Sequence, residues 1–497
     1  MPLSIPARGL EETQVLAALD EYRRDDADYE HGRTFSLVYY AGDEHQRLLE
    51  QAYVKFSATN ALNPMAFTSL RRMEAEVVRM TAAMLHGGRD VVGTMTSGGT
   101  ESILLAVKAA RERAREHKPK ITKPNIVVPE TIHVAFDKAA QYFGLEMRYA
   151  RLRDDLRADV RDMAGLVDSS TVLLAASAPQ YPHGVVDPIE EVAEIARRRR
   201  IPFHVDACVG GFLLPWVERL GYPVPLWDFR VPGVTSISAD VHKYGFATKG
   251  SSTILYRDMS YLKHQFFVST DWPGGIYASP SIPGTRSGGA IAAAWTSLVA
   301  MGEEGYLAHT DQAMKAARTL AAGLDEMPDL EVMGRPDATI VTWRTRKSSG
   351  LDIYTIADRL EDRDWHVDRQ QNPPCIHCTV TSNHAGVIGE YLDDVREAVA
   401  FVKSHPELQS RGNAAMYGMM AKAPFRGMVK KSVLEVMEKM YGPDAARADL
   451  DLLGGEEGGD NLVMRLVKNY GNRALGLLDR VEDVRDRLRL TKKRRVR

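Results

Sequence analysis

Cysteine is scarce in this chain: Cys208, Cys375 and Cys378 are the only three in 497 residues. So few cannot build a disulfide framework, and the number suits a reducing compartment. Long apolar runs are missing too. The best, TVLLAASAP at 171–179, has strand length and falls far short of the roughly 18 residues of a spanning helix. No basic region followed by an apolar one opens the chain, so no secretory signal is visible and the expectation is a soluble, cytoplasmic protein. Neither sign of charge dominates: 64 basic residues face 66 acidic ones, a formal net charge of -2. That balance argues against a nucleic-acid binder working by bulk electrostatics and leaves small anionic ligands open. Neither a Walker A loop nor a G-x-G-x-x-G fingerprint occurs at the Gly-rich turn, so nucleotide binding lacks support, and no internal repeat stands out.

What is present is an average globular composition, 44% hydrophobic and 26% charged, laid out in alternating patterns. Apolar residues at 70, 73, 77, 80 and 84 predict a helix over 69–86, ended by Gly87-Gly88. A second helix is expected over 101–118. Runs at 125–129, 171–176, 202–206, 235–239 and 253–256 read as short buried strands, with helical stretches at 133–143 and 188–200 between some of them. Strand, helix, strand with apolar runs implies βαβ units and a mainly parallel sheet. From about 305 the pattern changes to α+β: helix 306–326, strand 338–344, helix 354–361, strand 376–381 and helix 387–403. GGEEGG at 454–459 reads as a flexible linker before an amphipathic tail with a basic end.

Three spaced elements carry chemistry. Thr96-Ser97-Gly98-Gly99-Thr100-Glu101 is a Gly-rich turn opening into a helix, where free N–H groups and hydroxyls can cradle a phosphate. Alone it is equally an N-cap after a turn. Asp206 ends an apolar strand, the place where α/β sheets hold ligands. Lys243 follows another strand between His242 and Tyr244, and a desolvated lysine has a lowered pKa and can bond covalently to an aldehyde. Each is ordinary by itself. Together, a cradle, a strand-end carboxylate and a lysine 37 residues later are what pyridoxal phosphate needs. The lysine holds the aldehyde, the carboxylate keeps the pyridine nitrogen protonated, and the cradle grips the phosphate. His133, at a helix start, is placed to stack on the ring.

The runs TSGGTESILLAVKAA, HVAFDK, PQYPHGVVDP, HVDACVGGF, TSISADVHKYGFATKGSS, TDWPGGIYASPSIPGTRSGG and AAMYGM, in order over roughly 30–445, closely resemble the sphingosine-1-phosphate lyases. These are pyridoxal-phosphate enzymes of the group II decarboxylase-like class. The resemblance implies an α/β architecture of fold type I, with a mainly parallel seven-stranded sheet in a large domain (69–304) and a smaller α+β C-terminal domain (305–450). An arm (1–68) would contribute to a homodimer and its shared active sites, and 451–497 would be linker and tail. By the same resemblance, Lys243 binds the cofactor aldehyde, Asp206 pairs with the pyridine nitrogen and His133 stacks on the ring. Gly98, Gly99, Thr100, Ser238 and His242 hold the cofactor phosphate. Tyr39 matches an active-site tyrosine supplied across the dimer interface, and Asn60 a residue near the amino-alcohol head. Lys249 and Arg286 match cations that bind the substrate phosphate, with Tyr181 nearby.

The implied reaction is retro-aldol cleavage of the C2–C3 bond of a phosphorylated sphingoid base, giving a long-chain aldehyde and phosphoethanolamine. The base that takes the 3-hydroxyl proton stays open among Lys243, Tyr39 and a phosphate oxygen. The alternative is an amino-acid decarboxylase using the same Lys243, Asp206 and His133. Where the family usually reads N-x-L-H-P, this chain reads Asn60-Ala61-Leu62-Asn63-Pro64, and Asn63 brings no positive charge to a phosphate. Cys375-Ile376-His377-Cys378 lies in an expected strand without a second ligand pair, so it reads as structural and no metal is expected. The membrane-spanning N-terminus of eukaryotic members is absent, implying a soluble bacterial-type form. The basic tail suits packing on the dimer or docking to an anionic membrane surface.

Overall fold

The computed structural model describes residues 4–407, 426–443 and 445. The AAMYGM motif, the GGEEGG linker and the basic tail lie outside the described residues. A seven-stranded sheet is built from β1 (Val92–Thr96), β2 (Asn125–Pro129), β3 (Glu146–Ala150), β4 (Thr171–Ser177), β5 (Phe203–Asp206), β6 (Ser236–Ala239) and β7 (Ser252–Tyr256). Its order is β1-β7-β6-β5-β4-β2-β3, and β7 alone runs against the others. Strands β2, β4, β5, β6 and β7 are buried along their whole length, which is why each reads as an unbroken run and not as an alternation. Helices such as Gly99–His117, Ala135–Phe143 and Ile189–Arg199 cover the sheet with their apolar faces.

Two of the seven strands are not legible as apolar runs. β1 (VGTMT) is short and hydroxyl-rich, and β3 (EMRYA) is an edge strand with Glu146 and Tyr149 exposed. The helix expected over 306–326 begins much earlier, spanning Gly288–Asp325 with a break at Gly302 (φ 56°, ψ 177°). Four glycines between 288 and 305 hide its first half from a propensity reading.

A four-stranded antiparallel sheet, β10-β11-β13-β12, follows, made from Leu330–Val332, Ile340–Thr345, Asp368–Gln370 and Cys375–Thr379 as β10 to β13; Phe267–Ser269 and Tyr277–Ser279 pair before it as the hairpin β8–β9. Its core gathers Trp343, Trp365, Tyr354 and Tyr391. Phe35 enters this core from the N-terminal segment, with its ring 4.5 Å from His384 and 4.6 Å from Tyr391. A bridge between Thr34 and His366 fixes the same segment. Burying Phe35 anchors the chain four residues before Tyr39 and delivers that tyrosine to the carboxyl edge of the large sheet. Among the described residues, no helix is long and apolar enough to cross a membrane.

Candidate active site

Parallel strands place their carboxyl ends along one edge, so residues just after them converge however far apart they lie in sequence. A cavity of about 370 Å³ opens on that edge. His133 reaches it after β2, Tyr181 after β4, Asp206 and Cys208 at the end of β5, and His242 and Lys243 after β6. Tyr39 and Lys249 complete its wall.

Asp206 is buried, and its Oδ1 accepts from the Cys208 amide at 3.1 Å and the Ser238 hydroxyl at 3.4 Å. Behind it, His204 Nε2 lies 3.1 Å from Ser238 Oγ and its Nδ1 2.9 Å from Ser236 Oγ. Burial pushes His204 down to about 4, so the ring stays neutral and braces Ser238 without adding charge. Ser238, expected on the cofactor phosphate, therefore faces Asp206, His204 and Cys208, whose thiol donates to it at 3.2 Å. It does not line the cavity. His133 Nδ1 accepts from the Ala135 amide at 3.1 Å, which fixes the ring at the helix start and leaves Nε2 to carry the proton.

Lys243 departs from the sequence expectation of a lysine with a lowered pKa. Burial is the largest single effect and acts downward, but the acidic groups around the ammonium, foremost the Asp240 carboxylate with its Oδ2 3.1 Å from Nζ, together hold it well above the ordinary lysine value. Tyr39 is pushed up to about 12, chiefly by burial, so it keeps its proton at neutral pH. Lys249 is lowered to about 8 by burial and by the neighbouring charge of Lys243. Its Nζ donates to the Leu37 carbonyl at 2.5 Å and lies 5.4 Å from the Tyr39 ring centroid.

The cradle is built for a close approach. Gly98 and Gly99 head the helix Gly99–His117, whose first amides have no partner within the helix. A Cβ on Gly99 would stand 2.7 Å from Asp240 Oδ2 and 2.8 Å from Cys208 Sγ, so no side chain is accommodated there. A Cβ on Gly98 would meet His242 at 3.4 Å, which sets that imidazole against the turn. Glu101 locks the loop: its carboxylate accepts from the Ser97 amide and hydroxyl, both at 2.7 Å, and from the Ile282 amide at 2.8 Å. Thr100 stays exposed at the helix start. Gly98, Gly99 and Thr100 do not line the cavity itself but adjoin it through His242 and Cys208. With that cradle beside it, a cavity holding a buried strand-end carboxylate, a lysine and imidazoles fits a phosphorylated pyridine aldehyde.

Three predicted residues collect elsewhere. Arg286 is committed to Glu74 at 2.6 Å and to the Ala61 carbonyl at 3.2 Å. Asn60 accepts from the Leu62 and Arg286 amides and donates to Thr285. Asn63 is exposed, its Oδ1 accepting from the Met65 and Ala66 amides. None of the three lines this chain's cavity, whereas Tyr39, expected from across an interface, does so in its own chain.

Sequence reasoning missed Asp240, Glu101 and Asp368. Asp368 accepts from the Tyr181 hydroxyl at 2.7 Å and from Ser36 at 3.1 Å, committing the only proton of Tyr181. Asp240 and Glu101 lie inside runs quoted above at helical-turn spacing from Lys243 and Ser97; nothing local marks Asp368. Cys375 and Cys378 are buried on one strand, where positions three apart face opposite sides, so the pair cannot hold one metal.

The pyridoxal-dependent decarboxylase conserved domain matches residues 31–346. The chain is 44% identical over 444 residues to sphingosine-1-phosphate lyase 1 of Rattus norvegicus, covering 89% of this chain and 77% of that one. It is 43% identical over 445 residues to sphingosine-1-phosphate lyase of Arabidopsis thaliana, covering 88% and 81%. Among solved structures, sphingosine-1-phosphate lyase of Burkholderia pseudomallei superposes with a TM-score of 0.77 at 38% identity, over 83% of this chain and 98% of that one. Glutamate decarboxylase of Lactobacillus brevis superposes with a TM-score of 0.71 at 22% identity, over 80% and 95%, and shares the fold.

Proposed function

This chain belongs to the sphingosine-1-phosphate lyases, within the pyridoxal-dependent decarboxylase family, and from that premise we infer how its pocket works. The enzyme is a pyridoxal-phosphate-dependent carbon–carbon lyase that cleaves the C2–C3 bond of phosphorylated sphingoid bases to a long-chain aldehyde and phosphoethanolamine. The observation that carries this is identity of 44% to a lyase across 89% of the chain. The decarboxylase alternative has the support of solved structures such as glutamate decarboxylase at 22% identity, a likeness of fold.

When bound, pyridoxal phosphate supplies the electron sink that makes scission beside the amine-bearing carbon possible. The protein's own residues do the rest. Lys243 anchors the cofactor, Asp206 keeps its ring nitrogen protonated, and His133 covers the ring face. Gly98, Gly99, Thr100 and His242 hold its phosphate, while Ser238 steadies Asp206 from behind. Lys249, at the cavity wall, takes the substrate phosphate, and Tyr181, its proton given to Asp368, offers only an acceptor to the substrate.

A pH dependence follows from Lys249. Below about pH 8 it carries the charge that holds a phosphate, and above it the charge is lost. We expect kcat/KM to fall as pH rises through about 8, and Lys249→Arg to flatten that limb because guanidinium stays charged. Equal limbs in both proteins would place the phosphate elsewhere.

We further propose a homodimer in which Asn60, Asn63 and Arg286 complete the neighbour's pocket. Their grouping on one patch away from their own cavity supports it. Asn63→His restores a cation there, and KM for the phosphorylated base should drop about fivefold, the effect of about 1 kcal/mol, with kcat unchanged. An unchanged or higher KM would remove Asn63 from the phosphate site. Three free, buried cysteines support a cytoplasmic setting, and the basic tail would meet the lipid-like substrate at an anionic membrane surface.

Incubating the cofactor-loaded enzyme with a phosphorylated sphingoid base should release fatty aldehyde and phosphoethanolamine in equal amounts. Carbon dioxide from an amino acid, with no aldehyde, would overturn the lyase reading in favour of the decarboxylase.

A further inference from the structure

The turn between β6 and Lys243 carries a second buried carboxylate, distinct from the one at the end of β5. Asp240 is 2% exposed. Its Oδ2 lies 3.1 Å from Lys243 Nζ and 3.6 Å from His242 Nε2. The clearance around Gly99 puts the same oxygen directly against the phosphate cradle. A backbone bond from the Lys243 amide to the Asp240 carbonyl at 3.2 Å closes the turn that brings the two side chains together. Asp206, by contrast, is occupied by the Cys208 amide and the Ser238 hydroxyl.

We propose that Asp240 is the counter-ion that keeps Lys243 Nζ protonated, so that Lys243 serves the reaction as a proton donor and not as its base. The proposal rests on Lys243 being the cofactor lysine. Two opposite charges 3 Å apart, one of them wholly removed from water, attract far more strongly than a solvated pair. Of the groups facing Lys243 from other elements, the Asp206 carboxylate at the end of β5 reinforces the effect, while the Tyr39 hydroxyl and the Cys208 thiol, both pushed up by burial, stay neutral. Lys249 opposes it, and its own proton affinity falls in return. Burial disfavours both charges, yet Asp240 stays below the ordinary carboxylate range and Lys243 above the ordinary lysine value.

The proton balance follows. As C2–C3 breaks and C3 becomes a carbonyl, the 3-hydroxyl proton passes to a phosphate oxygen, since Lys243 and Tyr39 both already hold their protons. The electron pair left at C2 then takes a proton from Lys243 Nζ. That step leaves a neutral amine, the form able to rebind the cofactor's aldehyde.

The test is the visible absorbance of the holoenzyme titrated with acid and base, which reports the proton on the Lys243 nitrogen and is independent of turnover. The wild type should show no midpoint between about pH 6 and 9, while Asp240→Asn should titrate inside that window, a loss of proton affinity of at least about tenfold. Asp240→Glu keeps the charge and should behave as wild type. It also decides the matter if the asparagine variant does not fold. Identical titrations of wild type and Asp240→Asn would overturn the proposal, and so would an Asp240→Glu that titrates in the window, since charge would then not be the cause. A wild type with no visible band that depends on Lys243 would instead overturn the cofactor-lysine reading, and this proposal with it.

Discussion

Lys243→Ala is expected to abolish the visible absorbance of the bound cofactor and to lower kcat by about 10⁴-fold or more. The variant removes the proposed covalent anchor and the ammonium that, among the described residues, pairs with Asp240. A second effect separates this site from a lysine that is merely near it. Asp240 is held below its ordinary value of 3.8 chiefly by Lys243, against burial. In the wild type its ion pair therefore contributes stability that is present above the ordinary carboxylate pKa and is lost as pH falls through the lower, folded value. Without Lys243 burial prevails, the Asp240 pKa rises, and the uncompensated carboxylate costs roughly 1–3 kcal/mol at neutral pH. The cofactor-free variant should thus melt lower than cofactor-free wild type at pH 7, with the gap narrowing on acidification. A pH-independent gap would mean that the two side chains do not share charge. Residual turnover above about 1% of wild type would remove Lys243 from the chemistry.

Asp206→Asn should reduce kcat on the order of 10²–10³-fold while leaving the fold intact. The asparagine oxygen can still accept from the Cys208 amide, the 3.1 Å bond that turns the chain after β5, so stability should change little. What is lost is the negative charge proposed to face the ring nitrogen. Both kcat and kcat/KM should fall together, because that interaction matters most where electrons move into the ring. A variant within about threefold of wild-type kcat would show that the Asp206 charge is dispensable.

The large sheet and its ligand edge were legible because burial on both faces writes strands such as TVLLAAS as unbroken apolar runs. Asp206 and Lys243 stood out for a related reason: each sits directly after a buried strand, where topology brings distant segments together, while the Gly-rich turn stood out by its own glycines and hydroxyls. Edge strand β3 and the hydroxyl-rich β1 escaped because neither is written in apolar residues. Partners across long sequence separations escaped as well. Arg286 reads as a free cation, but Glu74 takes it up from 212 residues away. Tyr181 reads as a donor, but Asp368 claims its proton across 187 residues. Lys243 lines the cavity, but its proton affinity runs opposite to the expectation. Asp240, three positions back, is the foremost of the groups that offset burial, and its placement depends on the turn that follows β6.

The most direct measurement is to reduce the cofactor-loaded enzyme with borohydride, digest it and map the labelled peptide. A single pyridoxyl adduct on Lys243, and none on Lys249 a turn further along the same wall, is the expected result. A label on Lys249 or on any other lysine, or no label at all, would contradict the assignment of this strand-end pocket as the cofactor site.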